Sequence, residues 1–176
     1  MPGTVNEALA GIDGTAFAIV AIVVAQEVEL ARAYLDIARL RMDGYLDVDI
    51  AVAEDVANAR MPPMMLLPLI DDALAACSGE ADASPTIRVD VRARGDRLQV
   101  SVIRSPGGGP NTDTTSLANI RERLIGLYGA SAGLEVAEVK AGYVKTRLEL
   151  PLEFARAMTS EEAHSAFPRE RGAEPM

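Results

Sequence analysis

Tryptophan is absent from this chain, and the remaining aromatics amount to three phenylalanines and four tyrosines. A platform that stacks nucleobases or sugar rings needs several such faces, so the composition argues against both and requires an aliphatic core. With one cysteine, Cys77, no intramolecular disulfide forms, and with one histidine, His164, no Cys/His cluster has zinc spacing. A reducing, cytoplasmic setting is expected. Basic charge is scarce as well: 17 Lys and Arg stand against 26 Asp and Glu, for a net charge of −9, and the basic residues form no block. Phosphate backbones repel such a surface, so nucleic acid is not an expected partner. The longest strictly apolar run, Ala16–Ala25, has ten residues, short of the roughly 18 that span a bilayer. No membrane span is expected, and Met1–Asn6 lacks the positive charge that opens an export signal.

What is present is 49% hydrophobic residues in 176, enough for one domain with a real core. Ala16 to Met42 reads as a helix, with Val24, Val28, Ala31, Leu35 and Ala38 on one face. Gln26, Glu27, Glu29, Arg32, Asp36, Arg39 and Arg41 supply its polar surface. Tyr45–Val52 alternates as a half-buried strand. Met61–Cys77 is an apolar helix pattern entered at Pro62 and Pro63, with Met64, Leu67, Ile70 and Leu74 at helical spacing. It carries two adjacent carboxylates, Asp71 and Asp72, which either face solvent or meet a cation or basic neighbour. Ile87–Val91 and Leu98–Val102 form a hairpin with one buried face around Gly95-Asp96. Ser105–Thr115 holds three consecutive glycines and two prolines and is irregular. It feeds a helix with Ser116 as the expected N-cap, Leu117, Ile120, Leu124 and Leu127 as its apolar face, and Gly129 as its stop. A glycine loop leading into a helix start suits phosphate in principle. Leu134–Val139 and Tyr143–Leu150 are the last two strands, and Pro151 closes the domain. The order predicts an α+β fold, a two-layer α/β sandwich in which a mixed sheet carries helices on one face.

Four segments, AQEVELARAYLDIARLRM, MPPMMLLPLIDDALAAC, SLANIRERLIGLYG and GYVKTRLELP, come in an order and spacing that resembles the ATP-binding domain of autolysin-sensor-type bacterial histidine kinases. That domain has the Bergerat ATPase fold. The resemblance implies a helical lead-in over residues 1–25, the ATPase-like domain over 26–151 and a flexible tail over 152–176. It also implies ATP and magnesium as cofactors. Asp71 then stands at the position of a catalytic acidic residue and Asp72 at that of the magnesium-holding Asn. Gly107, Gly108, Ser116, Leu117, Asn119 and Gly142 stand at other nucleotide-contacting positions. Four ligand-facing positions depart from the family: Arg104 replaces the adenine-binding aspartate, Pro106 a glycine, and Thr114 and Ser116 two glycines beside phosphate. A guanidinium has donors and no acceptor for the adenine amine. The phospho-accepting histidine of such kinases has no counterpart in residues 1–25, and His164 lies in the tail. The expectation is therefore a domain of two-component signalling with impaired or lost ATP binding, a regulatory or interaction module. Its expected partner is another signalling protein or a second copy, met through the N-terminal helix. The alternative is an active kinase domain that phosphorylates a histidine supplied by another chain, and a third reading is a binder unrelated to nucleotides.

Overall fold

A computed structural model describes residues 22–77, 84–107 and 109–154. His164, Gly108 and Ala16–Ala21, with the partner surface expected on that apolar run, lie outside them. The elements are β1 (Ile22–Val23), α1 (Val24–Arg41), β2 (Asp47–Val52), β3 (Arg60–Met61), α2 (Leu66–Cys77), β4 (Thr86–Arg94), β5 (Arg97–Arg104), α3 (Thr115–Tyr128), β6 (Gly133–Glu138) and β7 (Val144–Pro151). Five strands form one mixed sheet in the order β2-β4-β5-β7-β6, and β1 pairs with β3 in a separate ribbon. Only β2 and β4 run parallel. The helices pack on one face of the sheet, giving the two-layer α+β sandwich that the element order predicts.

The periodicity of α1 holds: Val24, Val28, Ala31 and Leu35 are buried. Its start does not. Among the described residues the helix begins at Val24, and Ile22–Val23, expected as helix, pair antiparallel with Met61 and Arg60 instead. Three consecutive β-branched residues favour an extended backbone wherever a partner strand is available. The first-turn amides of α1 are then satisfied by Ala59 and Ala57 carbonyls, at 2.9 and 3.0 Å. The body continues past Pro151, since Arg60 donates to the Glu153 carbonyl and Ala59 bridges to Phe154.

Two further expectations need correction. The second helix starts at Leu66, not at Pro62, and its buried stripe is Leu66, Leu69, Ile70 and Ala73, while Met64 is exposed. Met61 is committed to β3, and Met64 takes a left-handed backbone at φ 58° that ends the extended segment before the helix can begin. The hairpin has one buried face on β4 but two on β5, where Gln99 and Ser101 are as buried as Leu98 and Val100. β5 is the central strand, and the long side chains of Arg92, Arg147 and Glu149 on its neighbours cover its second face.

Glu27, counted as polar surface by its place in the helix, is 2% exposed. Its carboxylate accepts from the amides of Met64 (2.7 Å), Met65 (3.0 Å) and Leu66 (3.0 Å). Three successive N–H groups around a left-handed residue make an anion-binding concavity at a helix start, and here the anion is a side chain of α1. From the other side Arg123 of α3 donates to the Pro63 and Met64 carbonyls. The entry to α2 is thus fixed by both neighbouring helices.

Candidate functional site

Between α2 and the sheet lies a cavity of about 260 Å³. α2 contributes Asp72, β5 contributes Val102 and Arg104, and β6 and β7 contribute Val136, Val144 and Thr146. Asn111 and Thr114 close it from the glycine-rich loop. Its floor is apolar because strand alternation turns Val102 and Val144 toward the helices. Arg104, in register with Val144 on β7, is 5% exposed. Its Nη1 donates to the carbonyls of Gly107 (2.5 Å) and Ser105 (3.4 Å), and its Nη2 to that of Gly109. The loop therefore turns carbonyl oxygens toward the guanidinium.

Asp72 lines this cavity, half-buried. Asp71 does not, since neighbours on a helix point about 100° apart. It faces α1, where the Tyr34 hydroxyl donates to its Oδ1 at 2.5 Å. That bond, with some burial and the Asp71 charge, pushes the Tyr34 phenol above its ordinary value. Burial pushes the Cys77 thiol up as well. At the start of α3 Thr114 is the N-cap, in place of the expected Ser116, and its hydroxyl takes the Leu117 amide at 3.3 Å. Thr114 precedes the first helical residue in an extended conformation, the geometry a cap requires, whereas Ser116 already lies inside the helix.

The sensor protein LytS of Enterococcus faecalis is 28% identical to this chain over 147 residues, covering 75% of this chain and 25% of LytS. The sensor histidine kinase BtsS of Escherichia coli is 25% identical over 133 residues, covering 74% and 24% respectively. The chain thus spans about a quarter of the length of these curated relatives. The nucleotide-free catalytic domain of the histidine kinase ThkA superposes with a TM-score of 0.59 at 15% identity, over 77% of this chain and 97% of that one. The chain is similar in sequence to sensor histidine kinases and shares the fold of a histidine-kinase catalytic domain. ThkA in complex with the response regulator TrrA gives a TM-score of 0.52 at 15% identity, over 74% of this chain and 41% of that one. No protein-family model matches the chain.

The residues expected at the nucleotide divide among three places. Asp72, Arg104 and Thr114 line the cavity. Asp71 and Ser116 share a shallow opening with Tyr34, Leu67 and Pro68 on the far side of α2. The others line neither: Leu117 is core, Asn119 is exposed on α3, and Gly107 spends its carbonyl on Arg104. Gly142, at φ 77°, packs on Pro106, where an added Cβ would lie 3.3 Å from the proline ring. Sequence reasoning missed Asn111, Val136 and Thr146. Thr146 had a signal, a hydroxyl at an inward position of the Val144-Thr146-Leu148 alternation. Among the described residues no helix is long and apolar enough to cross a membrane, and no cluster of three or more His, Cys, Asp or Glu is placed to hold a metal.

The Tyr34–Asp71 contact has a spectroscopic consequence. The phenol of Tyr34 is expected to titrate above pH 10, and Asp71→Asn to move it back toward the ordinary value, as read by ultraviolet difference titration of the tyrosines. A folded-state value above the unfolded one gives stability that is fully present below about pH 10 and is lost as pH rises through the raised value. No change on Asp71→Asn would mean that the two groups do not bond in solution.

Proposed function

We infer that this chain is a histidine-kinase-like domain of two-component signalling that no longer takes adenine nucleotide in the family's way and works as a regulatory or interaction module. The observation that carries this reading is Arg104. It lines the cavity, offers donors only, and is held there by the carbonyls of Gly107 and Gly109; in the resemblance it corresponds to the adenine-binding aspartate. The same contact engages the glycine loop that would otherwise close over phosphates. Thr114 consumes the Leu117 amide at the helix start, and Pro106 fills the space beside Gly142. Asp71, the residue at the catalytic acidic position, is bonded to Tyr34. The partner in this reading is another signalling protein or a second copy of the chain, in the cytoplasm. ThkA, which shares the fold, forms a complex with a response regulator.

The competing reading, an active domain serving a histidine on another chain, is favoured by Asp72, whose carboxylate is open to the cavity and suits magnesium. Thermal melting in Mg-ATP separates them. Micromolar binding would stabilise the fold by about 4 kcal/mol at millimolar ligand, a rise of roughly 8–16 °C. The present reading expects an unchanged melt. A rise abolished by Asp72→Ala would establish the active domain instead.

A further inference from the structure

Arg104 carries a buried charge that no anion meets among the described residues. Its partners are the carbonyls of Ser105, Gly107 and Gly109, all neutral. The ion pairs among the described residues lie elsewhere, at Arg88–Asp49, Arg92–Asp90, Arg147–Glu135 and Arg147–Glu149. A charge 5% exposed and compensated by dipoles alone is costly, and an anion brought to it removes that cost. The bonding also leaves a defined place for one. A guanidinium has five N–H donors. The bonds to the loop come from Nη1 and Nη2, and the Nε–H meets no acceptor among the described residues, so the guanidinium keeps a donor for a carboxylate.

Asp72 lines the same cavity with the opposite sign, and among the described residues its carboxylate meets neither a cation nor a hydrogen-bond donor. Asp72 and Arg104 do not pair with each other, and the floor between them is apolar, formed by Val102, Val136 and Val144. At about 260 Å³ the space lies below the ~300–1,000 Å³ of pockets for drug-sized ligands and suits something of amino-acid size. We propose that this cavity binds a small zwitterion, with its carboxylate on the Arg104 guanidinium, its ammonium group on Asp72 and its aliphatic part on the three valines. The proposal rests on the reading that adenine is not the ligand here.

Melting curves of the full chain test it, recorded with each standard L-amino acid, with sodium acetate and with methylammonium chloride at ~10 mM, and separately with Mg-ATP. At least one amino acid is expected to raise the melting temperature by about 3 °C or more. Neither acetate nor methylammonium should do so, and Arg104→Leu and Asp72→Asn should each abolish the rise. Asp72 is half-buried and makes no recorded bond, so Asp72→Asn keeps the fold and decides the matter even where Arg104→Leu unfolds. Silence with every amino acid, a rise with acetate alone, or a rise that survives Asp72→Asn overturns the proposal. A shift in Mg-ATP overturns the functional reading as well, whereas silence in both arms overturns the zwitterion site alone.

Discussion

Glu27→Ala is expected to destabilise the domain by about 2–4 kcal/mol, lowering the melting temperature by roughly 5–15 °C. The substitution removes one carboxylate and leaves three amides, of Met64, Met65 and Leu66, in surroundings where little water can replace it. Charge-assisted bonds to backbone N–H are the stronger kind, and the favourable interaction with the start of α2 is lost with them. The left-handed backbone of Met64 then loses one of its two restraints, and Arg123 alone holds the segment. Glu27→Gln, which keeps one acceptor oxygen and drops the charge, should fall between the two. Chemical denaturation measures both. A loss below about 0.5 kcal/mol for Glu27→Ala, the level of an ordinary surface change, would mean that the buried carboxylate does not hold the entry to α2.

Arg104→Leu should free the glycine-rich loop while leaving the sheet intact. Three bonds from a buried guanidinium fasten that loop, and bonds to charged groups contribute about 1.5–3 kcal/mol each before compensation by water. The amide order parameters of Gly109 and residues 111–113, exposed parts of the loop that the guanidinium fastens, are expected to fall into the flexible range, below about 0.6. The amides of β5 and β7 should stay rigid, because their ladder does not depend on the Arg104 side chain. Unchanged order parameters in the loop would show that the guanidinium does not clamp it.

Much of the architecture was legible because it follows from short-range periodicity. Val24, Val28, Ala31 and Leu35 recur at helical spacing and are the buried face of α1, and Ile87, Val89 and Val91 alternate and face the core. Gly129 stops α3 where expected, with a positive φ that closes the helix. What failed depended on partners far along the chain. Nothing local to Glu27 says that its acceptors will meet amides 37 to 39 residues away. Ile22–Val23 reads as helix until Arg60 and Met61 arrive beside it. At the candidate site, Arg104, singled out by counting along β5, lines the cavity. Its bonds to the loop carbonyls were not legible, because an irregular glycine-rich backbone has no pattern from which carbonyl directions follow. The split of Asp71 from Asp72 was implicit in the helical angle, but which of them faced the sheet depended on where α2 begins, and that was misplaced by four residues at Pro62.

The most direct measurement is calorimetric titration of the full chain with a non-hydrolysable ATP analogue, with and without magnesium. With a guanidinium in the cavity and the glycine loop fastened to it, no binding heat is expected under either condition at high protein concentration. Magnesium-dependent binding in the micromolar range would contradict this, and would mean that Asp72 holds the metal and that the loop releases Arg104 to admit the nucleotide.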